Sequence, residues 1–390
     1  MKLKAALPIV DGAKIADTIQ RALTCAGLDT TSGSMLDVND TIRRALSRAG
    51  MWNHGAAALK TPSATAGAKL RLVRSPPAVG KVAAGPSCVD ARALPGQFVS
   101  RSYSNAGGAR AYKLYIPKTY SERRMPLIVM LHGCTQNPDD FAAGTRMNEL
   151  ADKHAFLVAY PAQSVNANGS NCWNWFKVSD QERDRGEPSL IAGITREVAS
   201  SYRVDEQRIF VAGLSAGAAM AVVLGATYPE LFAAVGAHSG LPYGAADDVP
   251  SALAAMRGSS GPIFSKRGLK SRTSTPRVAP RRAPPTIVFH GDHDTTVSAE
   301  NGSEIVAQAV ALGETQTSCL EKSVQVRVPA NGRECTITTY RDSTMRPCIE
   351  QWVLHGAGHA WSGGCCKGSY TDERGPDASA EMVRFFLAQG

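Results

Sequence analysis

The stretch FVAGLSAGAAM, Phe210 to Met220, places one serine between glycines two positions to either side. Gly-x-Ser-x-Gly alone also fits a hydroxyl that caps a helix, so the flanks decide. Upstream, RIFVAG (Arg208 to Gly213) is an apolar run of strand length; downstream, AAMAVVLGATYP reads as a helix ending before Pro229. Ser215 therefore falls on a strand-to-helix turn, where a side chain at Gly213 or Gly217 would crowd the bend that exposes the serine. The reading is a nucleophile elbow.

Working outward, the chain from Gln97 alternates strands and helices. QFVSRSYSNAGGARAYKLYIP reads as a hairpin turning at Asn105 to Gly108, followed by the apolar strands PLIVMLHG and FLVAYP and the helix SLIAGITREVASSY. Beyond the elbow come AAVGAHSG, TIVFHG, a helix over Ser303 to Leu312, IEQWVLHG and a last helix, DASAEMVRFFLAQ. Apolar strands separated by helices imply an α/β fold with a mostly parallel, doubly wound sheet, whose ligands bind at the carboxyl ends of the strands.

A serine nucleophile needs a base, and the base an orienting acid. His359, in LHGAGHAWSGG, follows a strand and is flanked by residues small enough to leave its ring free. The Ser, Asp, His chain order of α/β-hydrolases asks for an acid between the two, and TIVFHGDHDTTV supplies Asp292 and Asp294 at a strand end. Asp294, further beyond the strand, is preferred, with Asp292 as a structural neighbour. The turn in LHGCTQN places the backbone N–H of Cys134 where this fold supplies one oxyanion donor; Ala216, after the nucleophile, supplies the other.

The ordered motifs LHGCTQ, CWNWF, GLSAGAAM, HGDHDTTV and GAGHAWSGG resemble the catalytic domain of the poly(3-hydroxybutyrate) depolymerase family of esterases, which is similar to feruloyl and acetylxylan esterases. The resemblance runs from about Gln97 to the C-terminus. It implies an α/β-hydrolase fold, the triad Ser215, Asp294 and His359, oxyanion donors at Cys134 and Ala216, no cofactor or metal, and ester hydrolysis with short-chain polyhydroxyalkanoate as substrate. A feruloyl or acetyl ester is the alternative, and a non-catalytic polyester granule-binding protein the rival from another class. Trp173, Trp175 and Trp361 are candidates to line an apolar acyl cleft, against the plainer reading that such residues pack in a core. His355 and His359 mimic a zinc pair at i, i+4, yet the intervening Gly-Ala-Gly opposes a helix. Cys134 and Cys172, on loops that leave strand ends on the catalytic face, are expected to form a disulfide.

The net charge of +9 does not point to nucleic acid. Thirteen positive charges and no acid lie in two Pro/Ser/Ala-rich tracts, Met51 to Val89 and Pro250 to Thr286, which read as solvated loops. No apolar run suffices for a membrane span. Nine cysteines, five of them (Cys319, Cys335, Cys348, Cys365 and Cys366) crowding the last quarter, suggest disulfides and an oxidising, extracellular location, as does the resemblance; MKLKAALPIVDG offers no readable signal peptide to match, which leaves the location open, with the cytoplasm as the alternative.

Three segments are expected. Residues 1–50 hold two copies of one amphipathic helix, ADTIQRALTCAG (Ala16 to Gly27) and NDTIRRALSRAG (Asn39 to Gly50). Residues 51–90 form a flexible basic linker, and residues 91–390 the catalytic domain, interrupted by a basic insertion at about 257–285. The repeated helices are candidates for contact with a polymer or granule surface.

Overall fold

The computed structural model describes residues 96–121, 123–258, 284–314, 320–328 and 332–389. The repeated helices, the linker and most of the basic insertion lie outside these residues.

The expected hairpin forms from β1 (Gln97–Asn105) and β2 (Gly108–Ile116), with Asn105 opposite Gly108. In chain order there follow β3 (Met125–Leu131), α1 (Pro138–Thr145), α2 (Met147–His154), β4 (Leu157–Pro161), α3 (Gly186–Ser201), β5 (Val204–Leu214), α4 (Ala216–Thr227), β6 (Ala234–His238) and α5 (Val249–Met256). Then come β7 (Thr286–Gly291), α6 (Glu300–Glu314), β8 (Glu321–Arg327), β9 (Cys335–Arg341), β10 (Pro347–Leu354), the short pair β11 (Trp361–Ser362) and β12 (Thr371–Asp372), and α7 (Ala378–Leu387).

Ten strands make one sheet in the order β1-β2-β4-β3-β5-β6-β7-β10-β9-β8. Its centre, β4 through β10, is parallel. Both margins are antiparallel: β2 against β4 on one side, and β10 against β9 and β9 against β8 on the other. This is the α/β-hydrolase fold. Alternate residues of the central strands face opposite sides of the sheet, packing into two large cores and a smaller third that holds Ala237, Val288 and Ile349. Leu127, Val129 and Leu131 of β3 pack with Ile191, Ile194, Met220 and Leu224 of α3 and α4. Ile128 and Met130 pack on the opposite side with Phe141, Met147, Phe385 and Phe386 of α1, α2 and α7. Helix α4 (AGAAMAVVLGAT) lies in the heart of the first core, and its small residues let it approach the sheet closely.

Some elements escaped the sequence reading. Helix α1 begins at a signature that was there to be read: Asn137 accepts from the N–H groups of Asp139 and Asp140, both at 3.0 Å, and Pro138 occupies the first turn. Strand β8 (EKSVQVR) alternates Val324 and Val326 with polar residues yet is exposed along its whole length; pairing with β9 makes it a strand.

The expectation that the C-terminal cysteines form disulfides is corrected: Cys335, Cys348, Cys365 and Cys366 are free thiols. Cys335 is buried on the sheet and Cys348 half-buried beside Tyr340, so each is anchored in packing of its own. Cys319 lies outside the described residues.

Candidate active site

Ser215 joins β5 to α4 with φ 57° and ψ −120°, a left-handed backbone that non-glycine residues rarely adopt. Its side chain does not cap the helix. The conformation is held from both sides: the Ser215 N–H donates to the carbonyl of His238 at 2.9 Å, and its carbonyl accepts from Ala219 N at 2.9 Å. The glycines have the steric role expected of them. A Cβ on Gly213 would lie 2.4 Å from the carbonyl carbon of Gly217, and one on Gly217 would lie 2.1 Å from the Leu131 carbonyl oxygen. The elbow is therefore pressed against the end of β3, and the turn that carries Cys134 begins at that same strand end.

In that turn the N–H groups on either side of Cys134 are occupied. Gly133 N donates to Gln136 Oε1 at 2.9 Å and Thr135 N to the Ser170 carbonyl at 2.7 Å. Cys134 is tied to Cys172 by the expected disulfide. The Cys172 loop is fastened in turn by the buried Glu187, which accepts from Gln163 Nε2 at 2.5 Å and from Asn174 N and Nδ2 at 2.8 and 2.7 Å, with Arg110 Nη2 at 3.2 Å. Ala216 is the first residue of α4, where backbone N–H groups have no intrahelical acceptor.

Asp294 follows β7 with its side chain wholly buried. Oδ1 accepts from the N–H groups of Thr296 and Val297, both at 2.9 Å, and Oδ2 meets His359 Nδ1 at 2.7 Å. Burial acts to raise its pKa, but hydrogen bonds from His290 and His359, the His359 charge and the Val297 N–H outweigh it and hold the carboxyl well below the usual range. His290 Nε2 donates to the Val297 carbonyl at 2.9 Å and lies 3.5 Å from Asp294 Oδ2. Asp292 points elsewhere: its oxygens receive His355 Nδ1 at 2.9 Å and Gly356 N at 2.7 Å. His355 Nε2 is 2.9 Å from Thr336 Oγ1, so the two histidines of the apparent zinc pair are engaged with different carboxylates. Of the two aspartates, it is Asp294 that His359 meets, while Asp292 meets His355.

Sequence reasoning missed two buried histidines, His132 and His238, which stand at the carboxyl ends of β3 and β6, with β5 between them, where functional side chains gather. His238 lends its carbonyl to Ser215 N, accepts from Ser362 N on Nε2 at 3.0 Å, and stacks between Phe289 and Trp361 at 5.8 and 5.2 Å. His132 accepts from Gln163 N on Nε2 at 3.1 Å, with Nδ1 2.8 Å from the Gly133 carbonyl. Accepting on Nε2 requires that nitrogen to be unprotonated, so both rings are neutral. Burial, the largest cause in each, pushes His132 down to about 4 and His238 down to about 3.

An expected outcome follows from the sign of these shifts. An unfolded chain takes up protons on both rings near pH 6.5, which the fold resists, so stability is full above that pH and is lost as the pH falls toward the folded values. The loss between pH 7 and pH 4.5 is expected to be ~5 kcal/mol for the two rings together. Urea unfolding across that range measures it; a flat profile would contradict the neutral-ring assignment.

The tryptophans are corrected as cleft candidates. Trp173 and Trp361 are 0% and 1% exposed, and Trp175 is 6% exposed. Trp173 Nε1 donates to the His132 carbonyl and Trp361 Nε1 to Ser379 Oγ. They brace the loops from beneath. A cavity of about 600 Å³ between the hairpin and α3, lined by Tyr103, Asn105, Ser189 and Glu197 among others, contains none of the candidate catalytic residues.

The sheet and its strained serine elbow define a chain of the α/β-hydrolase fold. Residues 110–321 match the family described as esterase PHB depolymerase, and the chain belongs to that family. It is 30% identical over 270 residues to poly(3-hydroxyalkanoate) depolymerase C of Paucimonas lemoignei, which covers 67% of this chain and 60% of that protein. Over 252 residues it is 30% identical to a probable acetylxylan esterase A of Aspergillus fumigatus, covering 62% of this chain and 65% of that one. The chain thus spans less than two thirds of the length of these relatives. Among solved structures, an acetyl xylan esterase from Aspergillus awamori shares the fold, with a TM-score of 0.57 at 20% identity over 74% of this chain and 99% of that one.

Proposed function

We propose that this chain is a serine esterase that cleaves short-chain polyhydroxyalkanoate, with Ser215 as nucleophile, His359 as base and Asp294 as the group that orients it. The observation that carries the reading is the 2.7 Å contact between His359 Nδ1 and the buried Asp294, on a sheet whose strained serine elbow opens at the same strand ends. With Nδ1 engaged, Nε2 is the nitrogen left to take the Ser215 proton as the hydroxyl oxygen attacks the ester carbonyl. The oxyanion that forms is met by the N–H groups of Cys134 and Ala216, each worth about 3 kcal/mol in such sites. The imidazolium then returns its proton to the leaving alcohol, and water, activated by the same ring, releases the acid. The disulfide at the oxyanion turn supports an oxidising, extracellular setting.

A depolymerase among the relatives favours the polyester; acetylxylan and feruloyl esterases among them make a plant polysaccharide ester the second reading. The experiment is direct. Clearing of a polyhydroxybutyrate suspension is measured beside release of acetate from acetylated xylan and of ferulate from a soluble ester. Clearing with little release from the other two is the expected result. Release without clearing would move the assignment to the second reading, and failure to hydrolyse even p-nitrophenyl butyrate would leave a granule-binding role.

A further inference from the structure

Residues 363–374 form a loop laid across α1 and the oxyanion turn. Tyr370 OH meets Thr135 Oγ1 at 2.9 Å, Gln136 Nε2 donates to the Ser369 carbonyl at 3.1 Å, and Cys365 N donates to the Gly144 carbonyl at 2.8 Å. Within it the adjacent Cys365 and Cys366 open a tight turn, closed by Gly368 N donating to the Cys365 carbonyl at 3.1 Å. That turn brings side chains together that a strand would send to opposite faces. The two sulfurs and a carboxylate oxygen of Glu373 all lie within 4.8 Å of one another.

We propose that Cys365, Cys366 and Glu373 form a binding site for a thiophilic divalent cation such as Zn²⁺ or Cd²⁺, independent of ester hydrolysis.

The backbone is already organised for this. Cys365 is held at its N–H by Gly144 and at its carbonyl by Thr371 Oγ1, at 3.1 Å, while Cys366 N donates to Glu373 Oε1, also at 3.1 Å. The neighbouring charges divide in a telling way. Asp372 is neutralised by Arg333 and Arg374, whereas Glu373 has no ion pair among the described residues and faces the thiols. Two sulfur ligands select a soft ion over magnesium or calcium, and the exposure of Cys366 and Glu373 leaves the fourth tetrahedral position to water. Binding converts two thiols to thiolates and releases two protons, with no change of oxidation state.

The test uses the full chain kept reduced with a phosphine and titrated with Cd²⁺, following the sulfur-to-cadmium charge-transfer absorption in the ultraviolet. One equivalent is expected to be lost in the Cys365→Ser/Cys366→Ser variant, and Glu373→Gln is expected to raise its Kd. As a measurement that needs no variant, Cd²⁺ should protect both cysteines of the peptide from iodoacetamide. Undiminished binding in the double variant, or alkylation of both thiols at full rate in saturating Cd²⁺, would overturn the site; a Kd unchanged in Glu373→Gln would overturn its three-ligand form.

Discussion

Replacing Ser215 with alanine is expected to lower kcat on p-nitrophenyl butyrate about a millionfold, the scale on which loss of a triad nucleophile acts elsewhere. The fold should survive. The elbow is held by backbone bonds to His238 and Ala219 and by the contact of Gly217 with β3, none of which involves the hydroxyl. Alanine at φ 57° carries the same backbone strain as serine, so Tm is expected to stay within about 2 °C. A phosphonylating reagent should label the native protein at Ser215 and leave the variant untouched. Appreciable turnover by the variant would remove Ser215 from the mechanism.

The second large effect is expected at the acid. In Asp294→Asn the two N–H groups of Thr296 and Val297 demand an acceptor where Oδ1 stands, so the amide oxygen must occupy that place and the NH₂ must face His359. A donor there forces His359 to accept on Nδ1 and carry its proton on Nε2, the nitrogen proposed to take the serine proton. The wrong tautomer lowers kcat by about 10⁴-fold in a triad. Asp292→Asn disturbs the exposed pair with His355, worth ~1 kcal/mol or less, while its amide oxygen can still accept from Gly356 N, which limits the loss to about fivefold. His359→Ala should likewise be severe and His355→Ala mild. Steady-state kinetics on the four variants decide the matter, and the reverse ranking would reassign both pairs.

What could be read in the sequence divides along a physical line. Gly213 and Gly217 flank Ser215 because backbone atoms meet there, and a contact of that kind demands a residue type at a spacing, which a sequence displays. The pairing of His359 with Asp294 was accessible for a related reason, since both stand just beyond strands in an order the fold dictates. The tryptophans were ambiguous because an indole beside a catalytic loop serves equally as floor or as wall, and only burial distinguishes them: Trp173 lies beneath the His132 carbonyl. Glu187 was invisible for a different reason. Its partners Arg110, Gln163 and Asn174 come from three separate segments, and no local pattern signals their convergence. The free C-terminal thiols show the limit of counting cysteines, since pairing depends on which loops meet in space.

His238 gives the active site a shared dependence. One residue supports the serine through its carbonyl, the segment just after His359 through its Nε2 bond to Ser362, and the strand leading to Asp294 through its stacking on Phe289. The three loops therefore do not vary independently. A substitution that shifts His238 alters the context in which changes in all of them are read, so variants in the serine, acid and base loops should show epistasis that vanishes when His238 is altered first. Refinement of this site toward a new ester would have to proceed around that residue, in coordinated steps instead of single ones.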